Sequence, residues 1–333
     1  MPVEVAPGLA HYLSEAWGQD VTISNLSQST AGARRHNILF DATAGDTTHH
    51  LVATIVPFGE TIINGVDAEA AVRDVAEKYG VAVPHVHLVR TDGDLVGGPF
   101  FISEMVPGET VPRRVLRLVE EQGIGETVAR QLGESLARLH SIEPSEVAVP
   151  LRTREFEGPP AVAALAGLRA QIDLMPLRRP AWELGLKWLE RRLPDPPERE
   201  TIVHSDTRNG NLIVGEDGLR AVLDWEGTLA SGDPMQDLAW PSLRMWRFRN
   251  DDREIGGFAG RDPFIAGYEA AGGNYDAGRF HWWKVEGTLR WSVGLAGQTM
   301  GFLEGRVPSI VMAASGRRVP ELEWDLLMLI RPS

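Results

Sequence analysis

Short apolar runs dominate the start of the chain and amphipathic helical spacing dominates the rest. Asn37–Ala42 (NILFDA) and Leu51–Val56 (LVATIV) flank the turn-rich AGDTTHH, a pattern that predicts a β-hairpin. Ala68–Tyr79 (AEAAVRDVAEKY) has helix-forming composition, with Ala71, Val72 and Val75 at helical spacing and Gly80 as its stop. In the VAVPHVHLV that follows, Pro84 argues against a central strand. Phe100–Val106 (FFISEMV) reads as a further strand, ended by Pro107-Gly108.

Beyond that point the period changes. Glu126–His140 carries Val128, Leu132, Leu136 and Leu139 on one stripe, an amphipathic helix. Ala161–Arg169 and Trp182–Leu193 also read as helical, separated from the next segment by the breaker PDPPERE. Thr201–Asp224 holds two short strands around a loop, and from Asp262 onward the chain is helical and rich in tryptophan. The expectation is an α+β chain with a strand-rich lobe carrying one helix over residues 1–107 and a larger, mainly helical lobe over residues 108–333.

Composition narrows the chemistry. A formal net charge of -13 argues against a protein whose main task is holding nucleic acid, which needs clustered Lys and Arg. There is no cysteine, so disulfides, thiolate metal sites and Cys nucleophiles drop out. No stretch approaches the apolar run that a membrane span needs, and MPVEVAPGLAHYLSEAW lacks the pattern of a secretory signal. A cytoplasmic protein is the expectation. Lysine is scarce, and Lys78 is the only one before Lys187.

The most informative stretch is Thr201–Trp240, TIVHSDTRNGNLIVGEDGLRAVLDWEGTLASGDPMQDLAW. Asn211 lies five residues after Asp206, and Asp224 ends an apolar run. Phosphoryl transfer needs a carboxylate beside the attacking hydroxyl, oxygen ligands for Mg²⁺ and a cation near the transferring phosphate. Asp206, Asn211 and Asp224 supply a base and two metal ligands in the order that kinases use. The plainer alternative is that they are turn residues bonding their own loop.

Taken together, these motifs resemble the aminoglycoside phosphotransferase and choline kinase-like family of protein-kinase-like fold. That family usually shows His-Gly-Asp, four residues, Asn, then Asp-Trp-Glu and Gly-Asp-Pro; this chain has HSDTRNGN, VLDWE and GDPMQDLAW. Ala31–Asp41 (AGARRHNILFD) resembles the family's nucleotide loop and following strand. Glu69 stands at its helix-C glutamate, and Gly98–Glu109 (GPFFISEMVPGE) resembles the strand and hinge of the adenine pocket. The C-terminal ELEWDLL resembles the ending of one bacterial branch.

The resemblance implies a small-molecule kinase that uses Mg²⁺ and ATP (or GTP) to phosphorylate a hydroxyl acceptor. Asp206 would be its base, and Asn211 and Asp224 its metal ligands. Backbone groups around Glu104 and Val106 would hold adenine, and a loop with Gly32, Arg34 and Arg35 would cover the phosphates. Arg208 would stabilise transition-state charge, with a plain salt bridge as the competing role. His204, His140, Asp233 and Asp237 read as structural. Glu226 is open between site and scaffold. Of Trp240, Trp246, Trp282, Trp283 and Trp291, most read as core, with one or two lining an acceptor pocket.

The chain departs from the family pattern at two places. Ser205 replaces the usual Gly. Thr54 falls where the family carries the Lys or Arg that grips phosphate and pairs with the helix-C glutamate, so Glu69 is expected to lose its usual partner; Arg34, Arg35 or Arg73 are the substitutes within reach. Two readings follow: an active kinase with a rearranged cation, or a nucleotide-binding, pseudokinase-like regulator with little or no turnover.

Overall fold

In the computed structural model, residues 2–28, 35–60, 62–307 and 309–332 are described. A five-stranded antiparallel sheet forms the first part, in the order β1-β2-β3-β5-β4. Its strands are β1 (Val21–Gln28), β2 (His36–Ala44), β3 (Thr47–Ile55), β4 (Val86–Arg90) and β5 (Phe100–Glu104). The β2–β3 hairpin forms where the apolar runs and their turn place it, with His36 opposite Ile55 and Ala44 opposite Thr47. Strand β4 is an edge, in keeping with Pro84 just before it.

One face of this sheet buries Ile38, Phe40, Ala42, Leu51, Ala53 and Ile102 against Leu9, Tyr12 and Leu13 of α1 (Pro2–Trp17). Sequence reading assigned one helix to this region, and α1 is a second. Its spacing at 9, 12, 13 and 17 is helical, but Pro7 and Gly8 interrupt the pattern. Against the opposite side lies α2 (Val66–Lys78). Ala68, Val72, Val75 and Ala76 of α2 join the core of the helical part.

The chain crosses over at Pro107-Gly108, where Glu109 and Val214 exchange backbone hydrogen bonds of 2.9 and 3.0 Å. Then come α3 (Pro112–Gln122), α4 (Gly125–Ser141), α5 (Pro160–Asp173) and α6 (Pro180–Glu190). The predicted stripe of α4 is fully used: Val128, Leu132, Leu136 and Leu139 are each 2% exposed or less. Two short ladders follow, β6 (Thr201–Val203) with β9 (Leu229–Gly232), and β7 (Leu212–Gly215) with β8 (Gly218–Val222). The remainder is α7 (Pro234–Ala239), α8 (Arg261–Ala270), the 27-residue α9 (Ala277–Leu303), α10 (Ile310–Ser315) and α11 (Val319–Ile330).

At the crossing of α4 and α8, glycines set the distance. A Cβ on Gly133 would fall 2.1 Å from the Phe264 carbonyl oxygen, and one on Gly267 would fall 2.2 Å from that of Arg130. This close approach sets Tyr268 of α8 against His140 at the end of α4. Among the described residues no helix is long and apolar enough to cross a membrane.

Candidate active site

Asp206, Arg208 and Asn211 lie on the loop between β6 and β7, and Asp224 stands two residues past the end of β8, so two short ladders present the predicted residues together. The Asp206 carboxylate is gripped at both oxygens. Oδ1 accepts from the Trp240 indole N–H at 2.7 Å and from Arg208 Nε at 3.2 Å. Oδ2 accepts from Asn211 Nδ2 at 2.7 Å, and the same Nδ2 donates to the Asp206 carbonyl at 3.0 Å. Burial pushes the Asp206 carboxyl above the usual aspartate range; Arg208 and the Trp240 bond oppose this and nearby Asp224 adds to it. Its side chain keeps 28% exposure. That exposed side faces a cavity of about 330 Å³.

Behind the loop, Asp237 of α7 fixes the backbone. It is fully buried, its Oδ2 accepts from His204 N at 2.6 Å and its Oδ1 accepts from Ser205 N at 2.7 Å. His140 Nε2 lies 3.2 Å from Oδ2, and its Nδ1 lies 3.0 Å from the Tyr268 hydroxyl. Donation to a carboxylate puts the imidazole proton on Nε2, so the tyrosine donates to Nδ1. Asp233 caps α7 through Met235 N at 2.9 Å. The structural reading of His140, Asp233 and Asp237 matches these contacts. So does that of His204, whose ring packs edge-on against Trp225 with centroids 4.6 Å apart.

Ser205 and Asp224 both adopt left-handed backbone, with φ of 75° and 67°. Glycine fits such a position without penalty, which accounts physically for the residue that Ser205 replaces. Here the Asp237–Ser205 hydrogen bond holds the serine in place.

On the sheet side, Thr54 Oγ1 donates to Asn37 Oδ1 at 2.9 Å. Glu69 keeps an arginine partner after all. Arg35 Nη1 is 2.6 Å from Glu69, and Arg35 Nη2 is 2.9 Å from Glu226. The expected loss of a partner is corrected here, because the cation arrives from the start of β2 instead of from β3. Arg73 feels the Glu69 charge but makes its contacts elsewhere: it donates to the Pro84 carbonyl at 2.8 Å and stacks on Phe101 at 4.9 Å. Glu104 and Val106 lie at the end of β5 and on the crossover, with Glu104 N bonded to His85 O at 2.8 Å. Gly32 and Arg34 lie outside the described residues.

The cavity beside Asp206 is walled by Trp240, Trp283 and Trp291, with Phe156 and α5 residues opposite. Trp246 packs behind, and Trp282 is core, donating to the Leu189 carbonyl at 3.2 Å. Arg244–Arg253 is braced scaffold: Arg244 pairs with Asp251 at 2.9 Å and Asp325 at 3.0 Å. A depression of about 590 Å³ beside Trp188, Arg192 and His281 takes in Trp282 but none of the predicted catalytic, nucleotide or metal residues.

Sequence reading missed Glu286, Arg290 and Asn64, and it placed Trp240 only as core or pocket wall. Trp240 contacts the carboxylate directly. Glu286 and Arg290, one turn apart on α9, line the same cavity, with Arg290 4.3 Å above the Trp240 ring. Buried Asn64 ties the loop before α2 to the Asp224 segment, donating to the carbonyls of Glu226 and Thr228 at 3.0 and 2.7 Å. For Asn64 and Glu286 no signal existed in the sequence, since an Asn-Gly pair reads as a turn and a lone Glu in a helix as surface.

Known proteins share this fold. The family model described as the phosphotransferase enzyme family matches residues 27–281. Among solved structures, a protein from Ralstonia eutropha JMP134 described as an aminoglycoside phosphotransferase superposes with a TM-score of 0.74 at 20% identity, covering 97% of each chain. A thermostable aminoglycoside phosphotransferase mutant in complex with ADP and hygromycin B gives 0.61 at 16% identity, over 96% of this chain and 98% of that one. At such identities the likeness shows the fold, the two-lobed kinase-like one. Among curated proteins, mouse (Mus musculus) acyl-CoA dehydrogenase family member 10 is 25% identical over 278 residues, which is 79% of this chain. The chain spans only a quarter of that relative's length. With the model match covering most of its length, the chain belongs to the phosphotransferase enzyme family.

Proposed function

We propose that this phosphotransferase moves the terminal phosphate of ATP (or GTP) onto a hydroxyl of a small molecule, in the cytoplasm, with Asp206 as base. The observation that carries the reading is Asp206 itself: a carboxylate held at both oxygens yet open to a cavity. An acceptor O–H bound there donates to Oδ2, whose second lone pair is not used by Asn211. As the acceptor oxygen forms its bond to the γ-phosphorus, the bond from that phosphorus to the β–γ bridging oxygen breaks. ADP leaves and the acceptor proton passes to Asp206.

The metal ligands fit Mg²⁺ as a shared site. Asn211 spends its Nδ2 on Asp206, which leaves Oδ1 as a hard oxygen donor, and Asp224 follows Leu223, whose N–H donates to the Asn211 carbonyl at 2.8 Å. Among the described residues no group of three or more His, Asp or Glu is placed to hold a metal alone, so phosphate oxygens and water would complete the shell. When bound, the ion supplies neutralisation of β- and γ-phosphate charge. Arg208, 3.2 Å from Asp206 and stacked on Trp246 at 4.7 Å, is the cation nearest the transfer. Adenine would bond the backbone near Glu104 and Val106, with Gly32 and Arg34 over the phosphates, and the division into lobes falls near residue 107.

The acceptor would be a compound with an apolar or cyclic body, in keeping with the tryptophan walls. Arg152, Arg154 and Arg290 line the cavity together with Glu155, Asp206, Asp224, Glu226 and Glu286, so an acceptor there would meet charges of both signs. Screening hydroxyl compounds for acceptor-dependent ADP release, with Asp206→Ala as blank, tests the proposal. Release by wild type alone supports it. Nucleotide binding without any difference from the blank favours the regulator reading, which Thr54 at the family's cation position motivates.

A further inference from the structure

We infer that Arg35 is this chain's phosphate-gripping cation, delivered from the start of β2 into the place that Thr54 leaves on β3. The inference rests on the nucleotide-dependent transferase reading and says where that site obtains its missing charge. In the β2–β3 ladder Asn37 lies opposite Thr54, and their side chains are hydrogen-bonded. Arg35 stands just before β2, two residues from Asn37, and its salt bridges show where its side chain goes.

From there its guanidinium reaches the partner that a β3 cation would have, Glu69 on α2. It also meets Glu226, two residues beyond Asp224. The group thus bridges α2 and the segment that carries a proposed metal ligand, at the level of the phosphates and not of the adenine hinge. Only 11% of its side chain is exposed, and three surrounding carboxylates outweigh burial and keep it charged.

Its rivals are committed elsewhere. The other basic residues described before residue 107 are Arg73, Lys78 and Arg90. Arg73 is spent on Pro84 and Phe101. Lys78 is exposed at the far end of α2, and Arg90 pairs with Glu15. An arginine suits the relocated position because its planar fork of five donors can keep Glu69 on one nitrogen and present others to a phosphate.

The test compares binding of AMP-PNP with Mg²⁺ against binding of adenosine, by calorimetry, in wild type, Arg35→Ala, Thr54→Lys and the Arg35→Ala/Thr54→Lys double variant. Without its charge-assisted hydrogen bond to phosphate, Arg35→Ala should bind AMP-PNP about 10- to 100-fold more weakly. Adenosine, which lacks phosphates, should bind as before. Lysine at 54 should restore AMP-PNP affinity in the double variant and add little on its own. Should removal of Arg35 unfold the chain by stranding buried Glu69, Arg35→Gln/Glu69→Gln allows the same comparison with neither charge left behind. Undiminished AMP-PNP binding without Arg35, or an equal loss for adenosine, would overturn the inference; so would a double variant that is not restored. A wild-type chain that binds neither ligand would sink the transferase reading along with it.

Discussion

Replacing Asp237 by Asn is the sharpest perturbation of the loop that carries Asp206. Asp237 is fully buried and offers two oxygens to two backbone N–H groups, His204 at 2.6 Å and Ser205 at 2.7 Å. Asparagine keeps the size but has one oxygen, so its amide N–H₂ must face one of those donors. With the oxygen kept toward His204 and His140, the Ser205 N–H loses its acceptor inside the protein. A hydrogen bond to a charged group contributes about 1.5–3 kcal/mol, and a stranded buried donor costs about 1–3 kcal/mol. These two overlap, since the first loss creates the second, so the net destabilisation is roughly 2–4 kcal/mol. Urea unfolding followed by tryptophan fluorescence measures it. Because Asp206 is the next residue along, turnover should fall by more than about tenfold while affinity for ATP is little changed. An unfolding midpoint and a turnover rate both equal to wild type would refute the idea that Asp237 holds the loop.

Three further outcomes follow from the same geometry. Ser205→Gly relieves a left-handed backbone penalty of about 1–2 kcal/mol against a glycine entropy cost of about 0.5–1 kcal/mol. The serine Oγ has no partner among the described residues, so the variant should melt higher, and a lower melting temperature would contradict this. Trp240→Phe removes the indole N–H from Asp206 but keeps a ring under Arg290; turnover should drop about tenfold with ATP affinity unchanged, and full turnover would count against it. Burial raises the Glu286 carboxyl above its ordinary range, only partly opposed by Arg290 at 3.4 Å. The folded state therefore holds that proton more tightly than the unfolded chain, and stability from this group falls as pH climbs from the ordinary glutamate pKa through the raised one. Glu286→Gln lacks this slope, so its advantage over wild type in unfolding experiments should widen with pH; a constant difference would contradict the assignment.

The sheet hairpin, α2, α4 and the Asp206–Asp224 segment were legible because each is specified by local pattern: alternation, helical period, or fixed motif spacing. What stayed hidden depends on chain crossings. Trp240 reaches Asp206 across 34 positions and Asn64 reaches Thr228 across 164, and neither separation has a sequence period. The helix α1 escaped because Pro7 and Gly8 interrupt its pattern. Thr54 was read as a departure, but the arginine that reaches Glu69 was not foreseen, since the neighbourhood that brings Arg35 to the carboxylate exists only once the chain has folded. Ser205 illustrates the converse: its substitution was visible, and the left-handed φ that explains the family's glycine was not.

Phosphoryl transfer by this chain requires oxygen donors at 211 and 224 to share one ion with a triphosphate beside Asp206. Affinity for AMP-PNP, measured with and without Mg²⁺ in wild type, Asp224→Asn and Asp206→Asn, addresses this directly. Wild type and Asp206→Asn should bind more tightly when Mg²⁺ is present, and Asp224→Asn should lose most of that gain while keeping its metal-free affinity. An Asp224→Asn variant with the full wild-type response to Mg²⁺ would contradict the account at its centre.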